Sequence, residues 1–406
     1  MSTQPSEMGC DPSNRPLKGI KVVDFSGLLP GPFATAILSD LGAEVTRIEA
    51  PKRPDLVRHL PPLSGGQSTA HLSLNRGKRS VALNLKHPKG VALARQLIEG
   101  ADVLVEQFRP GVMTRLGLGY EALSELNPRL IYCSITGYGQ SGPLAQKAGH
   151  DINYLALSGL ASYGGAPQGP SLSATQVADI AGGAQPAVIS ILAALLGRHQ
   201  TGQGRHLDSS ISDHRLALNA LTLSGASLTG DAPRPRAELL NGGTIYDYYE
   251  TSDGRHLAVG ALEPQFALRF FTLLERPEWL SEHLKPPPEQ TDLKRELQAL
   301  FKSAPLEHWV ALFAEEDCCV SPVLSLTEAL EHPHILARGI LRHHPSPDGP
   351  VAVLHAPLGF PLPEGSGEGD ELSLGPELGA HSAEVLSALG LDERALELLR
   401  AEGVTL

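Results

Sequence analysis

From residue 20 to residue 139 the chain alternates short, β-branched apolar runs with stretches of helical length, and this rhythm limits its fold more than any other feature. "IKVVDFSG" (20–27) reads as a buried strand, "FATAILSDLGA" (33–43) as a helix closed by Gly42, and "EVTRIEAP" (44–51) as a strand again. The pattern continues through "SVALNL" (80–85), "PKGVALARQLIEGA" (88–101), "DVLVEQF" (102–108), a helix near "YEALSELN" (120–127) and "LIYCSITGYG" (130–139). Strands alternating with such helices build βαβ units around a mostly parallel sheet, so an α/β class is expected, with a Rossmann-like large domain. Further on, "IAGGAQPAVISILAALLGRHQ" (180–200) reads as a long buried helix, and a second helical run starts near Ser212. "AELLNGGTIYDYYETSDGRHLAVGAL" (237–262) alternates as a hairpin does around Asp253-Gly254, and opens a smaller α+β unit in which "LKPPPEQTD" reads as a loop. The expected boundaries are a flexible leader at 1–16, a large domain at 17–215, a small domain at 216–322 and a closing segment at 323–406.

Composition removes several classes of function. A chain of 406 residues with 41% apolar and 19% charged residues has the length for two or three domains. Its net charge of -12 and its 33 scattered Lys and Arg residues argue against a nucleic-acid partner, which needs a basic face. The N-terminus lacks the basic and apolar regions of a signal peptide, no uninterrupted run of about 18 apolar residues follows, and the C-terminal "AEGVTL" is not a peroxisomal S-K-L. No membrane span and a cytoplasmic location are expected. Cys10, Cys133, Cys318 and Cys319 show no C-x-x-C spacing, while "HPH" (332–334) and "RHH" (342–344) sit in loop-like sequence without a third ligand, so no metal site is expected.

At the first strand-to-helix turn the chain reads "SGLLPGPFAT" (26–35), which is neither a Walker A nor a G-x-G-x-x-G motif. Gly31 and Pro32 there read either as a plain tight turn or as a source of free backbone N–H groups for an anionic oxygen. No G-x-S-x-G elbow is present. Three polar positions stand out against apolar surroundings. His150 and Asp151 follow a glycine at the start of an apolar segment, and Asp179 precedes Gly182-Gly183 and the long helix. Asp179 reads either as an N-cap or as a carboxylate tuned between a helix N-terminus and apolar walls. Glu263 reads as the start of a helix at Pro264.

"PLKGIKVVDFSGLLPGPFATAILSDLGAEVTRIEAP", "NRGKRSVALNLK", "VEQFRPGVMTRLGLGYEALSELNPRLIYCSITGYGQSGP" and the Asp179 segment together resemble the class III CoA-transferase superfamily, from about Leu17 to the C-terminus. "AGHDINYLALSG" and "LAVGALEPQF" are similar to its α-methylacyl-CoA racemase branch, in which a histidine stands where formyl-CoA transferases have tyrosine. The resemblance implies an interlocked homodimer with a C-terminal segment that returns to the large domain, an acyl-CoA thioester as substrate, and no cofactor beyond its CoA moiety. It implies His150 and Asp179 as an acid/base pair that removes and returns the α-proton through an enolate. Backbone N–H groups after Asp179 would stabilise that enolate, and Glu263, from the partner subunit, would support His150. Arg115 would reach phosphate, with Arg79 a second candidate. Gln107, Phe108 and Leu28 would line the CoA groove, Asp151 would organise the His150 loop or the pantetheine end, and Tyr154 would pack near the thioester. Ala50 stands where relatives carry an adenine-contacting arginine, with Lys52 and Arg53 just after it. Two other readings stay open: a CoA-transferase that forms an acyl anhydride on Asp179, and a non-catalytic acyl-CoA-binding protein.

Overall fold

The structure is a computed structural model that describes residues 15–354 and 373–406. Cys10 and the leader up to residue 14 lie outside the described residues. Six strands form the main sheet: β1 (Lys21–Asp24), β2 (Glu44–Glu49), β3 (Arg79–Ala82), β4 (Val103–Glu106), β5 (Ile131–Thr136) and β6 (Arg205–Ser210). All are parallel, in the spatial order β3-β2-β1-β4-β5-β6. β4 and β5 are buried along their whole length, which is why they read as continuous apolar runs rather than alternating ones. The chain moves outward from β1 to β3 and then returns to pair β4 with β1, so a crevice opens at the carboxyl ends of these two strands.

β6 was not foreseen from the sequence. Its residues "RHLDSS" lack the apolar signature of a strand, and Arg205, His206 and Asp208 are exposed. It pairs along its backbone in register from Ile131↔Arg205 to Thr136↔Ser210, at the edge of the sheet, and His206 adds a bond to Ser134 Oγ at 3.0 Å and ring contacts with Tyr120 and Tyr132. An edge strand buries little, so a polar sequence is tolerated there.

Helix Pro30–Asp40 starts with proline at its first position, where the absent N–H would have had no partner. The long helix comes in two parts, a π-helical turn at Ala178–Ala184 and an α-helix at Gln185–Thr201. Pro186 has no N–H to give to the carbonyl of Gly182, and His214 Nδ1 donates to that oxygen instead, at 2.9 Å. Ala178–Thr201 is long and apolar enough to cross a membrane, but its Ala187, Val188, Ile191, Ala194 and Leu195 are buried in the protein, and its Arg198 pairs with Asp102 at 2.8 Å.

The described residues divide into two compact units, one made of those within 1–154, 175–215 and 337–406, the other of those within 155–174 and 216–336. Residues 155–174 and 323–336 thus fall in the second unit, outside the expected 216–322. In the first unit the C-terminal segment inserts Val385, Leu386, Leu396, Leu399 and Val404 into the core beneath the sheet. It also caps β3, as Thr405 Oγ1 donates to Ala82 O at 2.7 Å and Ala82 N–H donates to Ser382 Oγ at 3.0 Å. The second unit packs a three-stranded antiparallel sheet against helices through Phe270, Phe271, Phe301, Trp309 and Phe313. The hairpin expected at Asp253-Gly254 joins Asp247–Glu250 to His256–Val259. Two readings are corrected. "LKPPPEQTD" contains a 3-10 turn at Pro287–Gln290, and "RHH" lies on the strand Leu341–His344, paired with Val351–Leu354 rather than in a loop.

Candidate active site

A cavity of about 300 Å³ opens at the carboxyl edge of the parallel sheet. Leu28 and Pro30 reach it from the turn after β1, Gln107, Phe108 and Arg109 from the turn after β4, and Thr136, Gly137 and Tyr138 from the end of β5. His150, Tyr154 and Asp179 complete the wall. The cavity therefore sits where the reversal of strand order leaves the strand ends uncovered.

His150 precedes helix Asp151–Leu157 and is held there by reciprocal bonds. Its N–H donates to Asn153 Oδ1 at 3.0 Å, while its carbonyl accepts the N–H groups of Asn153 and Tyr154. Asn153 went unrecognised in the sequence, although a side chain three residues into a helix that reaches back to its start follows the spacing of a capping box. Tyr154 is buried, donates its hydroxyl to Gly149 O at 2.7 Å and meets Tyr138 edge-on at 5.2 Å. Gly137 and Gly149 make room for this tyrosine pair: a Cβ on Gly137 would lie 2.4 Å from the Tyr154 hydroxyl, and one on Gly149 would lie 2.7 Å from Tyr138. Burial, with the negative charge of Asp179 next, pushes the Tyr154 phenol up to about 12, so it remains a neutral donor near neutral pH.

Asp179 is not an N-cap. It is the second residue of the π-helical turn, and helical backbone already precedes it at Val177. π-Turns shift side chains off the regular helical face and recur at functional sites. The turn is accommodated by small residues, since a Cβ on Gly182 would lie 2.4 Å from Arg215 and one on Gly183 3.0 Å from Pro30. Asp151 secures Asp179 from the neighbouring helix, accepting the Asp179 N–H on Oδ1 at 3.0 Å. Ile180 N–H, the first backbone donor after Asp179, is likewise taken, by Gln176 O at 3.1 Å, so it is not free for the enolate expected at this helix start. The same correction applies to the first turn, where Gly31 N–H donates to Gln107 Oε1 at 3.0 Å and Pro32 carries no N–H. Burial raises the Asp179 carboxyl to about 6, Asp151 adds to the rise, and His150 opposes it. A carboxyl poised near neutrality is one that both takes and gives a proton.

The cations of the cavity are not those the sequence suggested. Arg109 and Lys147 line it, whereas Arg115 and Arg79 do not. Arg115 ends the short helix Val112–Arg115. Arg79 lies at the start of edge strand β3, 3.6 Å from Glu44 and 3.8 Å from Glu384. The signal for Arg109 was its place in "FRPG", directly after the strand end that supplies Gln107 and Phe108. Glu263 belongs to the second unit, at the exposed start of helix Pro264–Leu273, and its side chain makes no capping bond.

The model of the CoA-transferase family III matches residues 17–382. Human α-methylacyl-CoA racemase is 36% identical over 395 residues, covering 96% of this chain and 97% of that protein. Human succinyl-CoA:glutarate CoA-transferase is 33% identical over 401 residues, covering 96% and 90%. Among solved structures, a CAIB/BAIF family protein from Brucella suis superposes with a TM-score of 0.79 at 29% identity, over 93% of this chain and all of that one. The chain belongs to the CoA-transferase family III.

Proposed function

We propose that the protein is a racemase of 2-methylacyl-CoA thioesters, and the observation that carries this is that His150 and Asp179 line one cavity, with Asp179 raised to about 6. Inversion at an α-carbon needs one group to remove the proton and a second, on the other face, to return it. In one direction Asp179 takes the α-proton, the C–H electron pair moves onto the thioester oxygen as an enolate, and the imidazolium of His150 delivers a proton to the opposite face. In the other direction the roles exchange. Tyr154 keeps its proton and helps to hold the wall beside Asp179. Arg109 and Lys147 supply positive charge for the phosphates of CoA, and the CoA moiety of the substrate is the only cofactor. The likeness to the racemase branch, including a histidine at position 150, supports this reading over transfer of CoA between acids. By the same likeness two copies interlock, Glu263 of the second copy orients His150, and the domains follow the large, small and returning order read from the sequence; a cytoplasmic location is proposed separately, from the cysteine usage and the targeting signals read in the sequence.

The test is incubation with (S)-2-methylacyl-CoA in D2O with no free acid, followed by mass spectrometry and chiral analysis. Deuterium at the α-carbon with formation of the R epimer, abolished in His150→Ala, is expected. Absence of exchange, with CoA passing to added carboxylic acids through an acyl adduct on Asp179, overturns the racemase and identifies a transferase.

A further inference from the structure

Leu28 is one of four residues other than glycine among those described with a positive φ, at +59°. The left-handed region forces a Cβ against the neighbouring carbonyl, so a branched side chain occupies it only where the surroundings compel it. Core packing is not what compels Leu28, whose side chain is 42% exposed and faces the cavity. The constraint comes from its backbone. Leu28 N–H donates to Asp55 Oδ2 at 2.8 Å. Asp55 is in turn immobilised on three sides: Oδ2 pairs with the buried guanidinium of Arg47, Oδ1 accepts Val57 N–H at 3.1 Å, and its own N–H donates to Glu49 Oε1 at 3.2 Å. Glu49 is itself gripped by Arg58 at 2.6 Å. Three residues after Leu28, Gly31 N–H is tied to Gln107. The turn is thus fixed at both ends before any ligand arrives.

We propose that Asp55 is a positioning residue that holds Leu28 in its left-handed conformation, so that the Leu28 side chain stands as a preformed wall of the acyl-CoA cavity. The proposal rests on the reading of that cavity given above. Its physical content is preorganisation: glycine at this position would make the turn without strain but leave no wall, and leucine without Asp55 would relax toward negative φ and turn the wall away.

The test uses the full-length chain with isobutyryl-CoA as probe, following affinity by calorimetry and α-proton exchange by mass spectrometry. Asp55→Ala and Leu28→Gly are each expected to weaken binding and raise KM by about tenfold while kcat stays within about threefold, because neither touches the reacting atoms. Together they are expected to cost little more than either alone, since residues acting through one contact are not additive. Asp55→Asn, which keeps an oxygen for the Leu28 N–H, is expected to restore most of the affinity lost in Asp55→Ala. Leu28→Gly is expected to melt about 1–3 °C above Leu28→Ala, which retains the strained φ. A double variant weakened about a hundredfold, or a kcat that collapses with KM unchanged, overturns the proposal. Should Asp55→Ala not fold, Asp55→Asn decides: it is expected to bind within about threefold of the wild type, and a loss of about tenfold or more that is the same in the wild-type and Leu28→Gly backgrounds overturns the proposal. A wild-type chain that fails to bind the probe overturns the reading of the cavity and this proposal with it, whereas binding with additive variants overturns this proposal alone.

Discussion

Two clusters of charge in the first unit, one buried beside β2 and one half-buried at the cavity, treat their carboxylates in opposite ways. Beside β2, burial alone would raise Glu49, but the hydrogen bond and charge of Arg58 and the charge of Arg47 bring it down to about 2. At the cavity, burial raises Asp179 to about 6, the neighbouring Asp151 adds to the rise, and only His150 opposes it. The difference lies in the partners, because desolvation is the largest influence on both. A carboxylate clamped by two guanidiniums is a permanent anion suited to holding backbone in place. One left with a second carboxylate and an imidazole keeps a proton within reach at neutral pH.

Removing the reactive member of the contrast gives the largest effect. Asp179→Asn is expected to lower α-proton exchange into 2-methylacyl-CoA by about 10²–10⁴ while the far-ultraviolet circular dichroism stays as in the wild type. Wild-type rates in the variant would place Asp179 with the structural carboxylates. Breaking the clamped cluster acts on stability instead. Arg58→Ala leaves Glu49 and His71 without their shared partner and is expected to cost about 3–5 kcal/mol in denaturant unfolding. A cost below about 1 kcal/mol would mean that this cluster is solvated.

Smaller effects sharpen the comparison. Gly137→Ala drives a methyl group into Tyr154, and is expected to cost about 1–3 kcal/mol of stability and to slow exchange by displacing the wall beside Asp179. Exchange from the epimer that presents its proton to Asp179 is expected to fall about tenfold per pH unit once the pH drops below about 6, as the base becomes protonated. The stability signs follow from linkage. Asp179 has a folded pKa above its ordinary value, so its contribution favours the folded state at low pH and is lost as pH rises toward and through about 6. Glu49 has a lowered one, so its contribution is present above about 4.5 and is lost as pH falls through about 2. Asp179→Asn is therefore expected to melt about 1–2 °C above the wild type at pH 7.5, with the gap narrowing as pH falls below about 6 and closing only near the ordinary value of 3.8. A gap that widens in acid would reverse the sign assigned to Asp179.

Much of the site was legible in the sequence because its chemistry sits in local motifs. His150 and Asp151 follow a glycine at a helix start, Asp179 stands before paired glycines, and Gln107 and Phe108 end an apolar strand; all but Asp151 line the cavity, and Asp151 grips the Asp179 backbone from behind. Other residues were hidden because their roles depend on partners distant in the chain. Arg47, Glu49 and Arg58 look like an ordinary solvated charge run until Asp55, His71 and Pro376 O close around them. β6 carries no strand signature because an edge strand is specified by the strand it pairs with, here β5.

The sequence by itself determined the alternation of strands and helices, and through it the parallel sheet, since the period of apolar residues is a local property of the chain. It also determined which residue types were available for acid/base work. The tertiary structure alone decided which charges are clamped and which stay reactive, which arginine reaches the cavity, and that Asp179 lies in a π-turn rather than at a cap. Those outcomes depend on desolvation and on the geometry between groups tens or hundreds of residues apart, and neither is written in any local run of sequence.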